Sequence, residues 1–446
     1  MKQQIKKMFI HTYGCQMNVH DSEKISGILQ MAGYEKAFSI QEADIIILNT
    51  CSVREKAEHK VHTEIGRIGK IKMKKKDLIV AICGCVAQQE KESLLAKSNI
   101  VDIVIGPKNI AQLPGCIQQV IEKRSQCIAI SQPKQEPAFE IPFIDRESPY
   151  KAYLTIMEGC NKFCSFCVVP FTRGREIYRS FNAIIDEANS LADKGYQEIC
   201  LLGQNVNSYR NAAYTFADIL EAVSIIKAFK RIRFVTSYPK DFDNRIVKVM
   251  HDNTKICSYL HLPVQSGSST ILKRMRRGYS REEYLEIIGM VRKYIPYIAL
   301  STDIIVGFPG ETENDFQLTL DLVQKARFLM MYSFKYSPRP NTHALRYKDD
   351  IAEDIKDRRL YELQSLQRGI QIQQFKDFIG KKKTILAEGV SKRSTSELTG
   401  RTTENVVVNF KGSPDLLGKL IEILITEAHS NSLRGEYSNS SESTSD

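Results

Sequence analysis

In this chain of 446 residues the cysteines are the side chains best placed to do unusual chemistry. Cys160, Cys164 and Cys167 form a C-x3-C-x2-C turn, with Phe163 and Phe166 interleaved. Thiolates are soft ligands suited to iron–sulfur clusters and zinc. A structural zinc site closes on four ligands, and no fourth donor stands near this turn. A cubane 4Fe-4S cluster on three thiolates instead leaves one iron open to an outside ligand. The two phenylalanines would shield such a cluster from water. Cys160, Cys164 and Cys167 are therefore the candidate ligands of a first cluster and the candidate catalytic residues.

A second set is dispersed. Cys15, Cys51 and Cys85 occur in the contexts Tyr13-Gly-Cys15, Asn49-Thr-Cys51 and Cys83-Gly-Cys85, each shortly after a predicted strand. Loops at the carboxyl ends of parallel strands converge on one sheet edge, so these three can meet. Gly14 and Gly84 permit close backbone approach. The placement predicts a second three-thiolate cluster with an open iron, and Cys51 is added to the catalytic candidates. Buried structural cysteines and an incomplete zinc site are the alternatives. Cys83 rivals Cys85 but lies nearer the strand, where a small apolar packing role suits it better. Cys116 and Cys127 fall in and after the last helix of this region, and Cys200 and Cys257 sit among apolar residues.

The elements that must position these residues form three blocks. From residue 8 to about 123, short apolar runs at 8–12, 43–48, 78–82 and 100–105 alternate with helical patterns near 21–32, 54–71, 87–96 and 110–121. That alternation predicts a parallel sheet covered by helices. A proline-rich stretch, 132–149, reads as a linker. From 150 to 334 six further strands are predicted, at 152–157, 197–202, 232–236, 259–264, 298–306 and 329–336. Six such units suit an open, partial (β/α) barrel, with the Cys160 turn at a strand's carboxyl end, the face that carries chemistry. A charged helix follows over 349–378. Strand-like runs at 384–387, 398–401, 406–410 and 419–426, broken by glycines, predict a small closed β-barrel suited to single-stranded nucleic acid. The serine-rich end from Gly435 to Asp446 reads as disordered. The expected fold is α/β, with domains over 6–124, 146–378 and 379–441.

Composition narrows the setting. With 42% hydrophobic and 26% charged residues the balance is globular. No apolar run reaches membrane-spanning length, and the lysine-rich start is too short for a signal-peptide core. A cytoplasmic, monomeric protein is expected. Eleven cysteines, an odd count, do not read as a disulfide framework there. The formal charge of +11 points to a polyanionic partner. Within it, Lys273-Arg-Met-Arg-Arg-Gly-Tyr-Ser-Arg281 gathers cations around an aromatic and is the candidate RNA-facing segment, a solvated helix end being the alternative. The last block is nearly balanced in charge, so its RNA contacts must rest on shape and stacking.

These residues resemble the methylthiotransferase family over nearly the whole chain. The likeness runs through Thr12-Tyr-Gly-Cys-Gln-Met-Asn-Val19, Asn49-Thr-Cys-Ser-Val-Arg-Glu-Lys-Ala57 and Gly84-Cys-Val-Ala-Gln88. It continues through the Cys160 turn, Arg173-Gly-Arg175, Leu202-Gly-Gln-Asn-Val206, Arg233-Phe-Val-Thr-Ser237 and Leu262-Pro-Val-Gln-Ser-Gly267. Thr302-Asp-Ile-Ile-Val-Gly-Phe-Pro-Gly-Glu311 follows, and Gly400-Arg-Thr402 with Asn431-Ser-Leu433 resemble a TRAM domain. Tyr238 departs from the family, which commonly has histidine there. The resemblance implies a radical SAM barrel, two 4Fe-4S clusters and S-adenosyl-L-methionine (SAM), used both as methyl donor and as radical source. By position it implies that Gly203, Gln204 and Asn205 touch SAM. Arg173 and Arg175 could meet SAM or RNA phosphate, with a surface salt bridge as the alternative.

The implied reaction replaces the C–H at C2 of N(6)-dimethylallyladenosine, position 37 of the tRNA anticodon stem–loop, with C–S–CH3. An electron donor and a sulfur source are implied as partners. The rival readings are siblings acting on threonylcarbamoyl-adenosine or on a ribosomal-protein aspartate. From another class comes a non-catalytic iron–sulfur RNA-binding protein.

Overall fold

Strands buried on both faces read as unbroken apolar runs, and Ile45–Thr50 and Ile79–Gly84 are buried at every position. In the computed structural model, which describes residues 6–52, 55–96, 98–130, 139–391 and 394–437, they are the central strands of the first sheet. Its strands are β1 (Lys6–Thr12), β2 (Tyr34–Lys36), β3 (Ile45–Thr50), β4 (Ile79–Gly84), β5 (Ile103–Ile105) and β6 (Cys127–Ala129). They pair in parallel in the order β2-β1-β3-β4-β5-β6. The sequence reading missed β2 and β6, edge strands of three residues each, too short to stand out as strands.

Helix α1 (Gln16–Met31) starts directly behind Cys15, earlier than the expected position 21. It is followed in this domain by α2 (Glu55–Lys74), α3 (Cys85–Glu90), α4 (Glu92–Ala96) and α5 (Leu113–Lys123). The helix expected over 87–96 is two short ones, broken at Lys91, whose φ is 50°. Helix α1 is buried on almost every side. One side covers its own sheet through Ile25 and Leu29, and the other meets the next domain through Met17, packed with Cys200 and Leu202.

That domain opens with β7 (Lys151–Thr155) and a short antiparallel pair, β8 (Met157–Glu158) with β9 (Ile177–Tyr178). The loop between these two carries the C-x3-C-x2-C turn and a four-residue helix, α6 (Val169–Thr172). All six expected strands form. After β10 (Glu198–Leu202) and the two-residue pair β11 (Arg210–Asn211) with β12 (Tyr214–Thr215) come β13 (Arg231–Phe234), β14 (Tyr259–His261), β15 (Ala299–Val306) and β16 (Met330–Lys335). Two parallel sheets, β13-β10-β7 and β14-β15-β16, are joined by a bridge from Ile232 to Ile256. Among the described residues no ladder joins β7 to β16, so the barrel is open. Its covering helices begin at side-chain caps, including reciprocal capping boxes at Thr215, Ser280 and Thr312.

A 24-residue helix, Glu353–Lys376, leads to the closed five-stranded barrel. Its strands are β17 (Lys382–Ser391), β18 (Ser394–Arg401), β19 (Val407–Lys411), β20 (Leu420–Ala428) and β21 (Leu433–Tyr437), in the order β17-β18-β19-β21-β20. The last strand corrects the expectation that disorder begins at Gly435. Gly435 pairs with both neighbouring strands, and a Cβ there would collide with Ile423 and the Leu424 backbone. Residues 438–446 of the expected tail, and 132–138 of the expected linker, lie outside the described residues.

This small barrel docks under the N-terminal ends of the central strands. Arg231 donates to the carbonyls of Arg401 and Thr402, both at 2.7 Å, and Arg233 donates to Thr402 O at 2.6 Å. Gln197 reaches Gly418 O at 2.7 Å, and Tyr259, Ala299 and Leu329 complete the apolar floor. No helix among the described residues is long and apolar enough to cross a membrane.

Candidate metal centre

The C-x3-C-x2-C turn is fixed at both ends by backbone. Gly159 has φ +83°, and a Cβ on it would strike the Arg175 carbonyl, so the chain can pass there only as glycine. Cys160 N donates to Gly174 O at 3.1 Å, and Cys167 N to Cys164 O at 3.0 Å. Ser165 ties the middle to the segment after β14, donating through its amide to Met275 O and through Oγ to Arg274 O. Phe163 holds a left-handed backbone, φ 45°, sparsely populated by residues with a Cβ. Cys164 is buried, while Cys160 and Cys167 are half-buried.

Burial, reinforced by the neighbouring thiols, pushes Cys160 up to about 11 and Cys167 up to about 12. The three sulfurs thus lie within electrostatic reach of one another. Arg277 faces them, donating from Nη1 to Cys164 Sγ at 3.2 Å. It is held by Pro263 O at 2.7 Å and Tyr279 Oη at 2.8 Å, with its guanidinium 4.6 Å from the Tyr238 ring centre and 5.3 Å from that of Tyr279. Tyr238, the departure from the family pattern, therefore packs against the cation beside the cysteine turn. Among the described residues no three His, Cys, Asp or Glu side chains are arranged to grip a single ion. A cubane spreads its thiolates over separate irons, and three mutually repelling sulfurs beside a fixed guanidinium fit that group.

The residues expected near SAM gather at the same loop. A Cβ on Gly203 would lie 2.6 Å from Met157 Sδ. Gln204 Oε1 accepts from Gly159 N, so this side chain satisfies the loop backbone. Asn205 donates to Asp241 at 2.9 Å, and Asp241 also pairs with Lys162 at 2.6 Å. The Asn205 Oδ1 is buried without a partner, which leaves an acceptor open beside the turn. Arg175 is exposed, its guanidinium 5.0 Å from the Phe163 ring centre.

The N-terminal set comes from three consecutive strand ends. Cys15 caps α1, Cys51 follows β3 and Cys85 opens α3 behind β4. The hydrogen bond from the Cys51 thiol holds Cys15 down at about 6, within reach of ionisation at neutral pH. Gly14 permits this contact, since a Cβ there would sit 2.5 Å from Cys51 Cβ. Cys85 lies on the same edge, near enough for its charge to act on Arg173. Burial pushes Cys83 far above the ordinary thiol range, in keeping with a packing role. Cys116 and Cys127 pair with each other away from this edge, and burial pushes Cys116 up to about 12.

Arg173 joins the two centres, which corrects the reading of it as a surface or phosphate-binding arginine. It is buried, pairs with Asp21 of α1 at 2.5 Å and stands 3.7 Å from Glu158 of β8. Its charge acts on Cys15 from one side while Glu158 leads into Gly159 and Cys160 on the other. The two cysteine sets, at the carboxyl edges of two different parallel sheets, thus face each other across one ion cluster. Sequence reasoning missed Asp21, Glu158 and Arg277. The charged triplet Asp21, Glu23 and Lys24 inside a helix with little apolar face was the available signal for the first. The expected RNA-facing segment also changes: Arg277 and Arg281 are buried and spent on internal partners, while Lys273 and Arg276 are exposed.

Comparison with known proteins covers the same three parts. Family models match residues 7–106 (Uncharacterized protein family UPF0004), 154–323 (Radical SAM superfamily) and 376–437 (TRAM domain). The tRNA-2-methylthio-N(6)-dimethylallyladenosine synthase of Carboxydothermus hydrogenoformans is 45% identical over 427 residues, 95% of this chain and 97% of that protein. That of Clostridium botulinum (strain Loch Maree / Type A3) is 45% identical over 437 residues, 97% of each chain. The Vibrio cholerae synthase is 44% identical over 437 residues, covering 97% of this chain and 92% of that one. Among solved structures, the radical S-adenosylmethionine methyltransferase TsrM from Kitasatospora setae shares the fold at TM-score 0.53 and 15% identity, over 76% of this chain and 74% of that one. OxsB, a cobalamin-dependent S-adenosylmethionine radical enzyme, does so at TM-score 0.51 and 13% identity, over 82% and 56%.

Proposed function

This chain belongs to the tRNA-2-methylthio-N(6)-dimethylallyladenosine synthase family of radical SAM enzymes, and from that membership we propose how its two cysteine sets divide the reaction. The enzyme methylthiolates C2 of N(6)-dimethylallyladenosine at position 37 of tRNA. An aromatic C–H resists ordinary acid–base chemistry, and a SAM-ligated 4Fe-4S cluster supplies the radical that opens it. Cys160, Cys164 and Cys167 hold that cluster, with Phe163 and Phe166 excluding water and Arg277 donating to one ligand sulfur. Gly203 lets Met157 pack against the loop that faces SAM, Asn205 offers its free acceptor, and Arg175 lies on the exposed rim. Gln204 acts through the backbone of Gly159, holding the turn in position.

Cys15, Cys51 and Cys85 would hold a second 4Fe-4S cluster, which would supply the attachment point for the incoming sulfur. The observation that carries this division is the placement of both sets on facing sheet edges across Arg173, Asp21 and Glu158. The small C-terminal barrel contributes RNA contacts, and the work is done in the cytoplasm by a monomer supplied with an electron donor and a sulfur source.

The test offers reconstituted enzyme three matched anticodon stem–loops, carrying dimethylallyl-adenosine, plain adenosine or threonylcarbamoyl-adenosine. Nucleoside mass spectrometry should find the methylthio product on the first. Equal turnover of all three, or product only on a ribosomal protein, would overturn the substrate assignment.

A further inference from the structure

Beside the Cys160 turn opens a cleft of about 320 Å³, in whose lining only Phe163 and Cys164 have a role above. Its walls include Phe163, Phe171, Arg276, Asn341, His343 and Arg346, and Cys164 reaches its edge. Phe163, Arg276 and Asn341 have left-handed backbones, with φ of 45°, 57° and 65°. Such strain persists only where surrounding structure enforces it, and it concentrates at ligand clamps.

The cleft is also unbalanced in charge. Arg276 and Arg346 are exposed, and among the described residues neither guanidinium has an ion-pair or hydrogen-bond partner. Both bear on His343, whose pKa is lowered by its desolvation and by these two cations, and whose Nδ1 is buried without a partner. Two guanidiniums converging with no counter-charge make a site for an anion. An aromatic platform lies next to them: Phe171 is 44% exposed and supported edge-to-face by Phe163, ring centres 6.4 Å apart. Cations beside an exposed ring are what a single-stranded nucleic acid requires, one for its backbone and the other for a base.

We infer that this cleft seats a phosphodiester of the substrate RNA strand next to the target nucleotide, on Arg276 and Arg346, with an adjoining base on Phe171. This rests on the RNA reading above and adds to it the site that aligns the strand at the cysteine turn. Arg276 of the cleft also gives a role to the exposed part of the basic segment after β14.

The experiment measures binding of the dimethylallyl stem–loop to full-length, cluster-loaded enzyme across a salt series. Arg276→Ser and Arg346→Ser should each weaken Kd about tenfold, the loss of one charge-assisted contact. Each should flatten the salt dependence by about one counterion. Arg276→Lys and Arg346→Lys should recover part of both effects, and they decide the matter if a serine variant loses iron. Lys123→Ser, exposed at the end of α5 in the first domain, should change neither quantity. Wild-type affinity and slope in the doubly substituted enzyme would overturn the inference while leaving the RNA reading intact. A cleft for free phosphate would show weaker competition by inorganic phosphate in the variants but unchanged stem–loop binding, which also overturns it. Failure of the unsubstituted enzyme to bind any stem–loop would instead bring down the RNA reading itself.

Discussion

Replacing Arg173 by methionine keeps most of the side-chain volume and removes the guanidinium that stands between Asp21 and Glu158. The Arg173, Asp21 and Glu158 side chains are 3%, 3% and 4% exposed, so water cannot take its place without opening the domain contact. Removing one partner of a buried ion pair leaves an uncompensated charge and costs about 3–5 kcal/mol. The second substitution Asp21→Asn removes that stranded charge, so the double variant should recover about 2 kcal/mol or more of the loss, within the usual coupling range. Global unfolding of three domains is not a two-state event, so a local measurement is needed. Hydrogen exchange in α1 provides it, because this helix lies between the domains. In the single variant its amides should exchange faster by roughly two to four orders of magnitude, as 1.36 kcal/mol is tenfold. Unchanged protection of α1 in Arg173→Met, or a double variant no better than the single, would refute the reasoning.

Other consequences can be tested together. Anaerobic reconstitution should load about eight irons, four per cubane, and alanine at Cys160, Cys164 and Cys167 together should leave about half; tight zinc at either set would contradict this. Cys51→Ala should abolish sulfur insertion while reductive SAM cleavage stays measurable. Arg277→Lys, which moves the donor from Cys164 Sγ, should lower the cluster's midpoint potential, because a cation and hydrogen bond at a ligand sulfur favour the reduced state. A charge-assisted bond of about 1.5–3 kcal/mol corresponds to roughly 60–130 mV, read by spectroscopic redox titration. Burial raises Glu23 from 4.5 to about 7. The folded state therefore binds the extra proton between those values, and stability falls as pH rises through that window. Glu23→Gln should flatten the pH dependence of hydrogen-exchange protection in α1, corrected for intrinsic exchange, and an equally steep profile in the variant would assign it elsewhere.

What the chain's letters revealed depended on whether a feature was local. The convergence of Cys15 and Cys51 could be read because each follows an apolar strand, and parallel topology then brings the strand ends to one edge. The six central strands were legible for the same reason, as short runs rich in aliphatic and aromatic residues between helical patterns. Arg173 and Arg277 were misjudged because their environment is set by remote segments. Asp21 lies in another domain, and Cys164 and Pro263 lie outside the basic run that contains Arg277. Strand β21 escaped because its residues alternate around a glycine and precede a serine-rich end, so composition outweighed a pairing that only barrel closure supplies.

The docking of the small barrel beneath the central one makes the enzyme a measuring device. Tyr150, whose ring packs on Gly418 of the small barrel, stands at one end of the strand path, and Cys160 stands beyond the other. Between them lie β7 and β8, and the path from Lys151 to Glu158 spans at most about 23 Å at the usual rise of an extended strand. A free nucleoside could occupy one end of that span but never report on both. On the RNA contacts proposed for the lower barrel, a substrate held there must be long enough to lie along the flank for one of its bases to reach the upper edge. Selection by length and shape would then follow from the distance between two domains.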